Sequence, residues 1–393
     1  MAAASRARLL MVLNDAPFFL THRLPVARAA RDAGFDVHIA VPVEDEPVAV
    51  MKQEGFVVHN IPLRRGARKL GGELALIRRL WQIVRAVEPD LMHAVTMKPV
   101  LYGGLVARLS GVPAVVHAIT GLGYLFVTEG PVARVQRGIV KWLYRFALGH
   151  RNACAIFQNP DDLDLFSREG LVNPRITLMI KGCGVDMQHF KPRPEPAGPV
   201  TVMFPARILG DKGVHEFVEA TRILKARGSD ARFVLVGRTD PDNPTDIGED
   251  GIRAWEREGL VQWQGFSRDM AATLSQAHVI CMPSYREGLP RVLIEAIACG
   301  RPVVTADVPG CREVVRDGEN GFLVPVRNGP ATAEAIEQLI GNPALRRHMG
   351  ERARAIAESE FSVTHFVALS LEAYRRVLPA RRWPRPAPDP TAA

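Results

Sequence analysis

The chain has 393 residues, 47% of them hydrophobic and 23% charged, and a formal net charge of +8. That length is too great for one ordinary core and suits two domains of roughly 150–200 residues, while the composition excludes a disordered or low-complexity protein. The five cysteines, odd in number and never spaced CxxC, argue against a disulfide framework or a zinc site and fit a reducing cytosol.

Charge is uneven along the chain. Residues 1–196 carry 25 Lys+Arg against 17 Asp+Glu, whereas residues 197–393 carry 25 of each. The basic excess of the first half suits an anionic partner: nucleic acid, a membrane surface or a phosphorylated acceptor.

In chain order, Arg6 and Arg8 precede the short apolar run Leu9–Leu13, which Asn14 and Asp15 close. This predicts a first strand rather than a signal peptide. Further strands are expected at Asp36–Val41, Val57–Ile61, Leu91–Ala94, Ala114–Ala118, Ala153–Gln158 and Ile176–Ile180, with helices such as Leu24–Ala33 and Leu74–Val87 between them. The window Leu109–Val127 has no charged residue, but Gly111, Pro113, His117, Gly121 and Gly123 interrupt it, so it reads as buried strand and loop rather than a membrane span.

Two basic features stand out. Arg64, Arg65, Arg68 and Lys69 crowd one loop; Arg134, Arg137, Lys141 and Arg145 share a helix face, with Val135, Ile139, Trp142 and Phe146 supplying an apolar side. That helix suits either an anionic lipid surface or a core-packed position with a solvated basic face. No recognised nucleic-acid module accompanies it, so nucleic acid is not expected as a partner. Asp162-Leu-Asp164 has the form of a metal-binding DxD, but Asn159 and Pro160 before it read as a helix cap and first helical residue, so no metal is expected there.

Lys191–Pro199, with four prolines in nine residues, reads as a linker. Strands resume at Val200–Phe204, Phe233–Val236, Val279–Met282 and Pro302–Thr305, with helices at Val214–Ala226 and Pro290–Cys299. A last helix is expected at about Val363–Val377, before a proline-rich tail read as disordered. Strand alternating with helix throughout is the rhythm of parallel α/β sheets.

Two segments carry chemistry. In Ser284-Tyr-Arg-Glu-Gly-Leu-Pro-Arg-Val-Leu-Ile-Glu295, Glu287 falls on the loop entering a helix and Glu295 inside it. Backbone N–H groups around Gly288, Leu289 and Pro290 and the positive helix end form a natural seat for a diphosphate. Glu287 is then placed to hold sugar hydroxyls and Glu295 to accept from a ribose diol. In Phe204-Pro-Ala-Arg-Ile-Leu-Gly-Asp-Lys-Gly213, Arg207 and Lys212 follow a strand on a glycine-bearing loop, a guanidinium fork and an ammonium point charge suited to pyrophosphate. Each taken singly also reads as ordinary surface charge.

Together with Ile180-Lys-Gly-Cys-Gly-Val-Asp-Met-Gln-His-Phe190, these segments resemble, in order and spacing, the family-4 glycosyltransferases, and the resemblance covers roughly residues 8–378. It implies an α/β protein of the GT-B fold, with two Rossmann-like domains facing each other across a cleft. The expected division is an acceptor-binding domain at 1–190, a linker at 191–199, a nucleotide-sugar-binding domain at 200–360, a terminal helix at 361–378 packing back on the first domain, and a disordered tail at 379–393. It implies a retaining transferase with Arg207 and Lys212 on the donor diphosphate, Glu287 on the donor sugar and Glu295 on the ribose. The family's base lies near the segment matching Gly265-Phe-Ser-Arg-Asp269, which brings in Phe266 and Asp269.

Phe18-Phe-Leu-Thr-His-Arg-Leu-Pro25 and Val116-His-Ala-Ile-Thr-Gly-Leu-Gly-Tyr124 resemble the branch that builds capsular polysaccharides, O-antigens and lipid-linked oligosaccharides. By that resemblance His117 stands beside the transferred sugar, with Asp15, Arg23 and Thr120 on the acceptor side. A UDP-sugar, an N-acetylhexosamine, is the implied donor and a polyprenyl-diphosphate-linked saccharide the implied acceptor. No metal or other cofactor is implied, and the expected location is the cytoplasm or the inner face of the cell membrane. Two other readings stay open, a nucleotide-sugar epimerase and a non-catalytic nucleotide-sugar-binding protein. Asn14-Asp-Ala-Pro17 stands where a nicotinamide dehydrogenase would have its glycine-rich turn.

Overall fold

A computed structural model describes residues 6–63, 70–121 and 131–384. The basic loop Arg64–Lys69, the end of the Val116–Tyr124 stretch, residues 385–393 and the side chains of Arg134 and Val135 lie outside the described residues.

The chain divides into two compact units, Met1–Ile180 with Thr364–Ala393, and Lys181–Val363. In the first unit the strands are β1 (Arg8–Val12), β2 (Asp36–Val41), β3 (Val57–Asn60), β4 (Leu91–Val95), β5 (Ala114–Ile119), β6 (Ala153–Phe157) and β7 (Thr177–Met179), all parallel in the order β3-β2-β1-β4-β5-β6-β7. The second unit holds β8 (Thr201–Pro205), β9 (Arg232–Val236), β10 (Gln262–Trp263), β11 (Val279–Met282), β12 (Val303–Ala306) and β13 (Gly321–Val324), parallel in the order β10-β9-β8-β11-β12-β13. Both are Rossmann-like sheets. Helices cover central strands such as β4, β5, β6, β8 and β11 on both faces, which explains why they are apolar runs without alternation. The sequence reading lacks β10 and β13. Both are edge strands of two and four residues, partly exposed, with little apolar signal to read.

The unit boundary falls at 180/181, not 190. Lys191–Pro199 is no linker between domains, because it is strapped onto the second unit. Arg346 donates to both Glu195 carboxylate oxygens (2.9 and 3.0 Å), Arg301 donates to the Pro194 carbonyl (3.2 Å), and the His278 ring bonds the Pro196 carbonyl (3.1 Å). Prolines supply no N–H, so their carbonyls are met by side chains from the core they cross.

The Val363–Val377 helix packs into the first unit. Tyr374 is fully buried, with its hydroxyl 2.7 Å from His93 Nδ1 and its ring edge-on to Phe35. Structure continues past 379, where disorder was expected. Ala380–Arg382 form a 3-10 turn, and Trp383 packs edge-on against Phe35 (5.3 Å between centroids) beneath Arg375. The partly buried Trp383, seated on the buried Phe35, holds this segment down, a signal that proline-rich composition hides. No described helix is long and apolar enough to cross a membrane. All five cysteines are buried and free.

Candidate active site

In the second sheet β8 is central, with β9 on one side and β11 on the other. The loops leaving β8 and β11 therefore part at a topological switch point, where open α/β sheets bind ligands. Three close approaches nest the loops at this edge. Gly213 (φ +81°) lies so near the Pro283 carbonyl that a Cβ there would collide with it; Gly237 approaches the Ala206 carbonyl in the same way, and Gly310 those of Glu287 and Gly288. The Asp211 carbonyl then accepts from Ser284 Oγ (3.1 Å) and the Tyr285 N–H (2.9 Å).

This nesting brings the two sequence motifs together. Lys212 Nζ lies 2.5 Å from Glu287 Oε1, which also accepts from Ser284 Oγ at 2.8 Å. Arg207, on the same loop as Lys212, forms an ion pair with Asp240 beyond β9. Pro290 is the extended residue before the Arg291–Ala298 helix, so that helix begins one residue later than the sequence suggests, and its positive end opens directly after Gly288, Leu289 and Pro290.

Glu295 lies inside that helix, buried, and accepts from Arg291 Nε at 2.6 Å. Burial raises its carboxyl above the ordinary range, with the Arg291 guanidinium opposing. Arg291 also reaches Cys183 Sγ (3.5 Å) on the 180–190 segment, where Gly182 packs against Leu289. Phe266 is exposed, with the Arg238 guanidinium over its ring (5.6 Å). Asp269 accepts from the Ala272 N–H (2.9 Å) and so caps the Met270–Ser275 helix. Ser284, Asp240 and Arg291 are the partners the sequence reading did not assign. Only Arg291, four residues before Glu295 on a helix, had a legible signal.

In the first unit the structure corrects His117. It sits in the middle of β5 between Ala94 and Ala155, fully buried, with Cε1 against Gly104 and neither ring nitrogen hydrogen-bonded to a side chain. Burial lowers its pKa to about 3, with His150 acting in the same sense and the Ala147 backbone opposing. A neutral core imidazole without solvent access does not touch a sugar. Asp15 caps the Ala16–His22 helix, accepting from the Phe18 N–H (2.6 Å). Arg23 is buried over the Phe366 ring (5.3 Å). Thr120 is half-buried just past β5.

At the switch point of the first sheet, between β1 and β4, two other residues stand out. Asn14 lies two residues past the end of β1 and Thr96 directly after β4. Asn14 Oδ1 and Thr96 Oγ1 are both buried without a partner, and Thr96 is held at φ +74°, unusual for a β-branched residue. The Asp162-Leu-Asp164 segment is the capped first turn of the Pro160–Arg168 helix, with Asn159 Oδ1 accepting from the Asp162 N–H (2.8 Å). Among the described residues, no group of three or more His, Cys, Asp or Glu is placed to hold a metal ion.

Comparison with known proteins assigns the class. Residues 8–152 match the family described as glycosyl transferase 4-like, and residues 186–356 match glycosyl transferases group 1. The chain belongs to these glycosyltransferases, and its two Rossmann-like sheets are those of the GT-B fold. It is 27% identical to the N,N'-diacetylbacillosaminyl-diphospho-undecaprenol alpha-1,3-N-acetylgalactosaminyltransferase of Campylobacter jejuni, over 84% of this chain and 89% of that protein. It is 28% identical to the putative glycosyltransferase EpsD of Bacillus subtilis, over 86% and 89%. Among solved structures it is similar in fold to HepE from Anabaena in complex with UDP and glucose (TM-score 0.73, 20% identity, 94% of this chain and 99% of that one). Sucrose-phosphate synthase from Thermosynechococcus elongatus is likewise similar (TM-score 0.77, 20% identity, the same coverage). The protein is thus a glycosyltransferase of the kind that builds polysaccharides and lipid-linked glycans.

Proposed function

We propose that the protein is a retaining transferase that moves an N-acetylhexosamine from a UDP-sugar to a polyprenyl-diphosphate-linked saccharide at the inner face of the cell membrane. The observation that carries this reading is the meeting of Lys212, Glu287 and Ser284 at the switch point of the second sheet. Lys212 and Glu287 are mostly buried, and a desolvated ion pair adds little to stability for its cost. Its persistence there fits a site in which each partner exchanges the other for substrate. Lys212 and Arg207 then take the diphosphate, Glu287 turns to the sugar hydroxyls, and the positive end of the Arg291–Ala298 helix faces the phosphate charge. Glu295 serves the ribose from its place beside Arg291.

In the reaction the glycosidic C1–O bond to the diphosphate breaks and the acceptor oxygen bonds to C1 on the same face. The departing phosphate oxygen takes the acceptor proton. Fixed cations stabilise the charge growing on the leaving group, so the scheme needs no metal. The names of two similar proteins support the substrates: the Campylobacter enzyme is an N-acetylgalactosaminyltransferase named for an undecaprenol-diphosphate acceptor, and HepE was solved with UDP.

The test is incubation with radiolabelled UDP-N-acetylhexosamines, with and without a polyprenyl-diphosphate saccharide. Acceptor-dependent label transfer with retained anomeric configuration is expected. Conversion of the donor without acceptor would favour an epimerase, and donor binding without turnover a non-catalytic protein.

A further inference from the structure

Tyr285 falls one residue after Ser284 and two before Glu287, on the loop that carries the site carboxylate. Its backbone N–H donates to the Asp211 carbonyl at 2.9 Å, and its hydroxyl donates to Glu216 Oε1 at 2.7 Å. Asp211 lies one residue before Lys212, and Glu216 lies four after it, in the first turn of the Val214–Ala226 helix. The two bonds of Tyr285 therefore bracket Lys212 along the chain and tie its segment to the loop of Glu287. Arg327, just after β13, adds a third hold, its guanidinium standing 4.9 Å from the centroid of the phenol ring. Arg327 is kept at φ +57°, a left-handed conformation uncommon outside glycine, immediately before Asn328 caps the Gly329–Gly341 helix.

Stability does not account for a carboxylate at position 216. Glu216 is 7% exposed, and its Oε2 is buried without a hydrogen-bond partner. Burying a polar oxygen unsatisfied is unfavourable, whereas replacing both partners of such a bond by apolar groups of similar shape can be nearly neutral for folding. What the carboxylate supplies is a fixed acceptor for one hydroxyl. Displacing reacting groups by about 1 Å lowers rates steeply, so a bond that sets the spacing of two site segments has a use in turnover that it lacks in folding. We infer that Tyr285 and Glu216, with Arg327 over the ring, are positioning residues that hold Lys212 and Glu287 in register for the donor. This rests on the donor site proposed above and adds to it residues that act through Lys212 and Glu287 rather than on the substrate.

The experiment uses the full chain and reads Tm, the UDP-dependent rise in Tm, and kcat with a UDP-N-acetylhexosamine and a polyprenyl-diphosphate saccharide. Tyr285→Phe strands the Glu216 carboxylate, so Tm should fall, kcat should drop about tenfold or more, and the response to UDP should shrink. In Y285F/E216M both polar partners are gone. Tm should then return while kcat and the UDP response stay low, and the loss in kcat should match that of Y285F rather than multiply with that of E216M. E216Q, which keeps an acceptor for the hydroxyl, should hold kcat near the wild-type level, where E216M loses as much as Y285F. Recovery of kcat together with Tm in the double variant would reduce the bond to a folding contact and overturn the inference, as would a wild-type kcat and UDP response in Y285F. A wild type that responds to UDP but transfers no N-acetylhexosamine defeats the donor sugar proposed above, and the positioning role is then decided by the UDP response of the variants. A wild type indifferent to UDP defeats both.

Discussion

Lys212 and Glu287 are 75 residues apart in the chain and 2.5 Å apart in space. Replacing Lys212 by alanine is expected to lower kcat by about 10²–10³-fold, the scale of losing one group that stabilises transition-state charge. It also strands the Glu287 carboxylate in a half-buried site, so Tm should fall by a few degrees. The double variant K212A/E287Q, assayed by calorimetry and by turnover, should regain the Tm without regaining activity; recovery of both would remove Lys212 from the mechanism. Gly213→Ala tests the nesting itself, because a Cβ there has nowhere to go but into the Pro283 backbone. A loss of donor binding is expected, read from the UDP-dependent shift in Tm.

His117 makes an opposite prediction. Folding holds its imidazole neutral down to about pH 3 and depresses His93 well below the ordinary value, through burial in both cases. Between pH ~6.5 and those folded values the unfolded chain binds protons that the native chain does not, so stability should drop as pH falls below ~6.5. Urea unfolding of wild type and H117L at pH 7 and pH 5 checks this. The variant should lose less stability on acidification and keep near wild-type turnover, whereas a turnover loss of orders of magnitude would return His117 to the site.

At the scale of elements, the terminal helix shows most clearly what a sequence pattern omits. Its apolar periodicity makes a helix legible at 363–377, and its docking rests on Tyr374 bonding a histidine 281 residues away. Tyr374→Phe leaves His93 Nδ1 without a partner in the core and should cost about 1–3 kcal/mol, measured by denaturant unfolding. The 191–199 strap and the Trp383 turn escaped the sequence for a shared reason. Proline-rich segments lack the N–H groups and periodicity from which elements are read, so only the side chains arriving from elsewhere, Arg346, Arg301 and His278 on the strap and Phe35 under Trp383, show that they are fixed.

At the scale of the whole molecule, each unit is one parallel sheet with its own core, and each sheet has a point where strand order reverses, the place where open α/β sheets bind ligands. UDP should therefore raise the Tm of the full chain, and Arg207→Ala with Lys212→Ala should abolish the shift. If the cations alone meet the leaving diphosphate, turnover should be indifferent to EDTA; a chelator-sensitive enzyme would require a metal that the proposed scheme omits.

The parallel α/β class and most strands and helices were readable in the chain, because buried strands are continuous apolar runs; Arg207, Lys212, Glu287 and Glu295 stood out in short motifs after such runs, and the structure brings Lys212 and Glu287 into contact. Tertiary structure alone decided that Glu287 is held by Lys212 and Ser284, that Glu295 is paired inside its helix, that His117 is core, and that Ile139 and Trp142 face outward. Helical periodicity tells which residues share a face, but which neighbour covers that face depends on contacts formed far away in sequence.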